Sequence, residues 1–327
     1  MGPGDLSKLI RPLVEIAGAQ DRILVGPETS DDGGVYLLDG RALVATADYI
    51  TPVCDDPRRF GRVAAANSLS DVYAMGGVPV LALSLACFPD RGLPDGTREG
   101  ILAGAGDVLA EEGAALLGGH STIDDDLKFG LAVIGRADPD RLLSNDRARD
   151  EEVLILTKPL GTGVLVNAFK LGKLDAEGLE PVLEQMETLN AAASRIALEH
   201  GVRAATDVTG FGLAGHALNL ARGSGLRLRI RFEDLPVHDG FYEFVERGVS
   251  TGSTEANHSN VEGALEMRRD LTGPEEELLF DPQTSGGLLL SVPREEVTDL
   301  LEDLRAEGVA AAPVGETVKG AAEIEVI

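Results

Sequence analysis

Carboxylates recur in this sequence at places where a strand or helix would be expected to carry something else. Asp31-Asp32 stand just before the β-rich run 34-GVYLL-38, and Asp48 interrupts 46-TADYITP-52, where a strand core favours an apolar residue. Asn67 and Asp71 lie four apart in a helical stretch and so share one face. Around them Ala64, Ala65, Ala66, Ser68 and Ser70 are small enough for something to approach closely. Asp207 precedes the glycines of 204-AATDVTGFGLAGHALNLA-221. Singly, each of these reads as a cap or a solvated face. Together they suit Mg²⁺, a hard cation that takes one or two carboxylates plus phosphate oxygens and water. A bridging metal also explains how carboxylates can approach a polyphosphate.

Two glycine-rich segments bear on that chemistry. Residues 210-GFGLAG-215 fit the G-x-G-x-x-G fingerprint of dinucleotide sites. Such a site wants a buried strand running straight into the first glycine and a helix N-terminus receiving pyrophosphate. Here Thr206-Asp207-Val208-Thr209 intervenes, and a carboxylate there would repel pyrophosphate unless a cation lay between. A nicotinamide site is therefore disfavoured. No G-x-x-x-x-G-K-[ST] loop occurs. Gly118-Gly119-His120-Ser121, at the end of the apolar run Ala114–Leu117, reads as a turn; its backbone N–H groups and the Ser121 hydroxyl could also cradle a phosphate. His216 reads as a satisfied helix residue rather than a ligand.

The elements that must position these residues alternate throughout. Helices are expected over Leu6–Ala17, about 60–75, about 97–112 and about 178–199, with another opening at Gly161-Thr162-Gly163. Strands are expected at 34–38, 42–50, 78–88, 127–137, 153–158, 226–232 and 286–292, with the run 114–121 between the helix near 97–112 and the strand at 127–137. The charged connector 138-DPDRLLSNDRARDEE-152 marks a boundary between residues 1–150 and 151–327. The fold class is α/β, of the α+β type: two domains with mixed sheets flanked by helices.

Bulk properties narrow the partners. A net charge of -26 argues against binding nucleic acid through its phosphates. No apolar run approaches the roughly 20 residues a membrane span needs. Two cysteines make neither a disulfide framework nor a zinc site. Cys87 ends an apolar strand and is expected to be buried; Cys54 lies beside Asp55 and Asp56, whose charges should raise its pKa. No basic-then-apolar leader is visible, so a cytoplasmic location is expected.

Five segments in order, 31-DDGGVYLL-38, 46-TADYITPVCDDPRRFGRVAAANSLSDVYAMGGVPVLAL-83, 118-GGHS-121, 206-TDVTGFGLAGH-216 and 281-DPQTSGGLLLSV-292, resemble the selenophosphate synthetase (selenide, water dikinase) family. That family belongs to a superfamily of ATP-using enzymes with aminoimidazole ribonucleotide synthetase and thiamine-monophosphate kinase. The resemblance implies conversion of ATP, selenide and water to selenophosphate, phosphate and AMP. It implies a homodimer whose first domains pair strands into a shared barrel, with the second domain covering the ATP. Matched by position, Asp32, Asp71 and Asp207 would hold Mg²⁺. Thr29, Ser30, Asp31, Asp48, Asp71, Gly119, His120 and Ser121 would bind ATP, the last three in their own subunit's site or in the partner subunit's.

The family pattern also has a glycine-rich arm with a reactive Cys or selenocysteine and a Lys, which would precede Met1 here. No catalytic residue is therefore assigned. Three origins fit: truncation, a selenocysteine codon read as a stop, or a relative that binds ATP without the activity. Alternatives to the synthetase reading are that silent relative and another phosphotransferase of the superfamily.

Overall fold

The computed structural model describes residues 20–327, so the expected Leu6–Ala17 helix lies outside it. Strands β1 (Ile23–Val25), β2 (Gly34–Leu38) and β3 (Arg41–Ile50) form an antiparallel meander. Asp39 and Gly40 make the β2–β3 turn, both at positive φ (50° and 78°), the conformation a tight hairpin needs. Helix α1 (Pro57–Ala74) starts on Asp56, whose carboxylate accepts the Arg58 and Arg59 backbone N–H groups, with Pro57 in its first turn. After it come β4 (Val78–Phe88), α2 (Thr97–Glu111), β5 (Ala115–Ile123) and β6 (Lys128–Ala137). The six strands run β1-β2-β3-β6-β4-β5, and only β4–β5 is parallel.

One face of this sheet is covered by α1, and α2 packs on α1 through two glycines. A Cβ on Gly61 would sit 2.0 Å from the Ile101 carbonyl oxygen, and one on Gly104 1.9 Å from that of Arg58. The opposite face carries apolar side chains that no described residue covers. Tyr49 and Leu83 are exposed there and Leu117 is 64% exposed, while Leu116 and Ile123 (75% exposed), paired with Ala82 and Phe88, lie on the helix side of the edge strand.

The second half begins with β7 (Val153–Leu156), α3 (Thr162–Lys170), α4 (Ala176–Glu187), α5 (Ala191–Glu199) and β8 (Ala204–Asp207). It continues through α6 (Gly212–Ser224), β9 (Arg227–Ile230), α7 (Phe241–Glu246), α8 (Thr254–Val261), β10 (Leu265–Met267) and α9 (Gly273–Phe280). Last come β11 (Leu288–Val292), α10 (Val297–Ala306), β12 (Ala312–Val318) and β13 (Ile324–Val326). The sheet runs β10-β13-β9-β12-β7-β11-β8 and is mixed: β13 pairs in parallel with β10 and β9, the other pairs are antiparallel. The inner strands β7 and β11 are wholly buried, and so is β8 although it lies at the sheet edge.

Helix α1 is also the seat of the second half. Arg59 pairs with Glu180 and Glu187 on α4, both at 2.6 Å, and the Ser194 hydroxyl donates to the Tyr73 carbonyl at 2.6 Å.

Three expectations change. The single helix over 178–199 is two, α4 and α5, because Thr188 turns extended (φ -71°, ψ 127°). Asn190, just beyond, sends its side chain to the Ser70 hydroxyl and the Gly286 carbonyl. Gly118–Ser121 is not a turn but part of β5. Gly119 is needed there because a Cβ would meet the Ser84 hydroxyl at 2.0 Å and its carbonyl at 2.3 Å on β4. Cys87 is half-buried on β4 rather than buried.

Candidate functional site

Asp207 is the last residue of β8, and β8 sits at the sheet edge against β11, which delivers its carboxylate towards the first half of the chain. The loop ahead of β2 brings Asp32 to meet it: Asp32 Oδ1 accepts the Thr206 hydroxyl at 3.0 Å, and Oδ2 the Asp207 backbone N–H at 3.3 Å. Asp71, one helical turn from the end of α1, accepts the Thr46 hydroxyl of β3. Asp48, two residues along β3, accepts the Asn67 side-chain amide from α1. The i,i+4 pair on α1 thus reaches two positions of β3, and the Asn67 carbonyl oxygen takes the Ser285 backbone N–H at 2.9 Å.

The electrostatics of this group are unfavourable as it stands. Burial raises the Asp32 pKa well above the carboxylate range, helped by the charges of Asp207, Asp71 and Asp31. Burial does the same to Asp71, with Asp207 and Asp48 adding to it. Asp207 is pushed up to about 6, again by burial first, with Ser70 drawing it back. Asp207 Oδ2 is buried without any hydrogen-bond partner. Crowded carboxylates and an orphaned oxygen are the donor set a divalent cation satisfies, and hard oxygen ligands suit Mg²⁺. The residues fit the metal.

The ligand atoms within 4.8 Å of one another are those of Asp32, Asp207 and His216, while Asp71 acts on the group through its charge. The His216 ring nitrogens are engaged elsewhere: Nε2 accepts the Thr209 backbone N–H at 3.1 Å, and Nδ1 is 3.3 Å from the Thr206 hydroxyl. Burial lowers its pKa to about 4, so the ring is neutral at pH 7. It props the loop after β8. That loop turns its N–H groups inward, with Gly212 donating to the Thr209 carbonyl at 3.0 Å, which leaves the G-x-G-x-x-G segment as a helix start.

The Thr29-Ser30-Asp31 loop precedes Asp32 directly. Ser30 is in the left-handed region (φ 53°) and Thr29 donates to the Asp31 carboxylate. Asn145 of the connector pins this loop, donating its backbone N–H to Asp31 at 2.6 Å and its side chain to the Ser30 carbonyl at 3.0 Å. Gly119, His120 and Ser121 do not join the group. The row Asp48–Leu131–Ser84–Gly119 crosses the sheet. Gly119 is therefore three strands from Asp48, roughly 14 Å at ordinary spacing. These three residues line an open hollow with Ser84 and Arg98 on the free edge of the sheet.

Sequence reasoning missed Lys158. It follows β7, is buried, and donates to the Thr188 and Ser285 carbonyls at 2.6 and 2.8 Å. Burial lowers its pKa to about 7, against the pull of Asp207. Nothing in 153-VLILTKP-159 marks a buried ammonium, and Asn145 in a polar connector looks like any loop residue. The motif 281-DPQTSGG-287 carries structure rather than ligands. Asp281 accepts the Gly163 and Val164 backbone N–H groups, and Gln283 those of Gly161 and Thr162, which seals the start of α3. Cys54 is half-buried, and burial, more than the Asp56 charge, pushes its thiol up to about 11.

The family models for AIR synthase related proteins match this chain over residues 30–137 (N-terminal domain) and 149–327 (C-terminal domain). Selenide, water dikinase of Burkholderia pseudomallei is 45% identical over 328 aligned residues, covering 100% of this chain and 92% of that protein. The chain belongs to the selenide, water dikinase family. The Geobacter metallireducens member is 43% identical over 96% of this chain and 92% of its own. Outside the family, thiamine monophosphate kinase from Aquifex aeolicus superposes with a TM-score of 0.72 at 20% identity, over 98% and 96% of the two chains. Hydrogenase maturation protein HypE in complex with ATP gives 0.70 at 19%, over 93% and 87%. At those identities the likeness is one of fold.

Proposed function

We propose that this chain makes selenophosphate from selenide, ATP and water, releasing phosphate and AMP, with Mg²⁺ held on the nucleotide by Asp32, Asp71 and Asp207. The observation that carries the reading is the three-aspartate group with its orphaned Asp207 oxygen, in a chain 45% identical to a selenide, water dikinase. Bound there, Mg²⁺ neutralises phosphate charge and polarises the phosphoryl oxygens.

The chain's own residues set the stage. Thr46 and Thr206 orient the Asp71 and Asp32 carboxylates, and Asn67 fixes Asp48 beside the nucleotide. The Thr29–Asp31 loop, held by Asn145, offers further polar contacts to ATP. Residues 1–150 form the nucleotide-binding and dimerisation domain, and 151–327 cover the site, reaching the metal through Asp207.

The protein is a homodimer in this reading. An edge strand exposed along its whole length, β5, and an apolar sheet face that no described residue covers support pairing of first domains into one barrel. Gly119, His120 and Ser121, too far from their own acidic group, then serve the partner's nucleotide. Among the described residues no helix is long and apolar enough to cross a membrane.

The test is phosphorus NMR of the chain, and of the chain with a Cys-Gly-Cys-Lys segment added ahead of Met1 to supply the family's thiol and Lys, with Mg·ATP and selenide. Selenophosphate, phosphate and AMP in equal amounts from either preparation support the reading. ADP as the nucleotide product, or ATP loss independent of selenide, overturns it.

A further inference from the structure

Behind the acidic group, on the far side of Lys158, lies a cavity of about 260 Å³ between the end of β7, the α4–α5 junction and the loop before β12. Pro181, Leu189 and Val309 give it apolar walls. Two of its lining residues carry buried polar atoms with no partner: Gln185 Oε1 and His238 Nε2. The Gln185 orientation is fixed, because its amide Nε2 donates to the Pro159 carbonyl at 3.1 Å, leaving Oε1 as the unsatisfied acceptor. Burial lowers the His238 pKa, so the ring is neutral, and in the tautomer with its proton on Nδ1 the unpartnered Nε2 accepts. Lys158 and Asn190, which also line the cavity, are already hydrogen-bonded, so the two unmet acceptors beside the apolar walls have a chemical complement: a small neutral molecule with an apolar body and two hydrogen-bond donors.

We infer that this cavity is a binding site for such a molecule, and that filling it is coupled to the acidic group. The coupling follows from shared side chains. Lys158 lines the cavity and holds the Thr188 and Ser285 carbonyls; Asn190 lines it and holds the Ser70 hydroxyl and the Gly286 carbonyl. Ser70 immediately precedes Asp71 on α1 and lies close enough to Asp207 to draw its pKa down. A ligand that orders Lys158 and Asn190 orders the supports of Asp207, and by linkage the effect on nucleotide and ligand affinity is reciprocal. The coupling rests on the Mg·ATP reading given above; the binding does not.

Resorcinol is the probe, with two donors on a flat ring, and 1,3-dimethoxybenzene is its donor-free control. Crystals of the full chain soaked in each, with calorimetry in solution, decide the binding. Resorcinol in the cavity with its hydroxyls on Gln185 Oε1 and His238 Nε2, and no binding of the control, is expected. Gln185→Leu should then weaken resorcinol about five- to tenfold, the loss of one neutral hydrogen bond. Ordered water alone on these acceptors, or equal binding of both compounds, overturns the site. With resorcinol bound, Mg·ATP affinity should change measurably in the wild-type protein; an unchanged value overturns the coupling and leaves the site standing.

Discussion

Asp32, Asp71 and Asp207 are each costly to bury alone, and together they repel, so the arrangement is stable only in company with positive charge. Asp71→Asn removes one charge while keeping the bond to Thr46 within reach. It should weaken Mg·ATP binding on the order of 100-fold and metal-free ATP binding far less. Calorimetry with and without Mg²⁺ separates the two, and equal losses would mean Asp71 holds no metal. Much of this was legible from spacing, because an i,i+4 pair among small residues can only share a face: Asn67 and Asp71 do. What spacing could not show is that Asp32 and Asp207, 175 positions apart, share a hydrogen bond. Nor could it reveal Lys158, whose partners are carbonyls and leave no trace in side-chain identity.

At the scale of elements, close approach and charge govern how the helices seat. Gly104→Ala drives a Cβ into the Arg58 carbonyl, so α2 must lift from α1. Chemical denaturation should register a loss of about 1–3 kcal/mol, typical of overpacking. Helices α5 and α10 are tied differently, by His200 bonding Glu296 at 2.9 Å and Asp303 at 2.8 Å. Partial burial presses this ring toward neutrality, but Asp303 and Glu296 outweigh it and raise its pKa. A histidine raised in the folded state contributes stability that is fully present below its unfolded pKa and fades as pH climbs through the folded one. His200→Gln should therefore cost about 0.5–1 kcal/mol near pH 5.5, since both partners are solvent-screened, and almost nothing near pH 9. Thermal melts at the two pH values check it, and a pH-independent loss would contradict it. Most element positions were legible from periodicity and glycine punctuation. The break at Thr188 was not, because it is imposed by Asn190 reaching across to Ser70. The strand character of Gly118–Ser121 was hidden too, since two glycines read locally as a turn although the close passage of β4 demands one of them.

For the whole molecule, the homodimer reading rests on the sheet face and the β5 edge that no described residue covers. Leu117→Arg with Ile123→Arg should yield a monomer by sedimentation and a weaker apparent ATP affinity, since each site loses Gly119–Ser121 of its neighbour. A double variant that remains dimeric would mean the copies meet elsewhere. The two halves of the chain meet over α1, and the proposed metal would join them through Asp207. The most direct test is a crystal grown with Mn²⁺ and a non-hydrolysable ATP analogue, read by anomalous scattering. A peak coordinated at once by Asp32, Asp71, Asp207 and phosphate oxygens is the expected result. A peak held by phosphate alone, or by carboxylates that exclude Asp207, would contradict it.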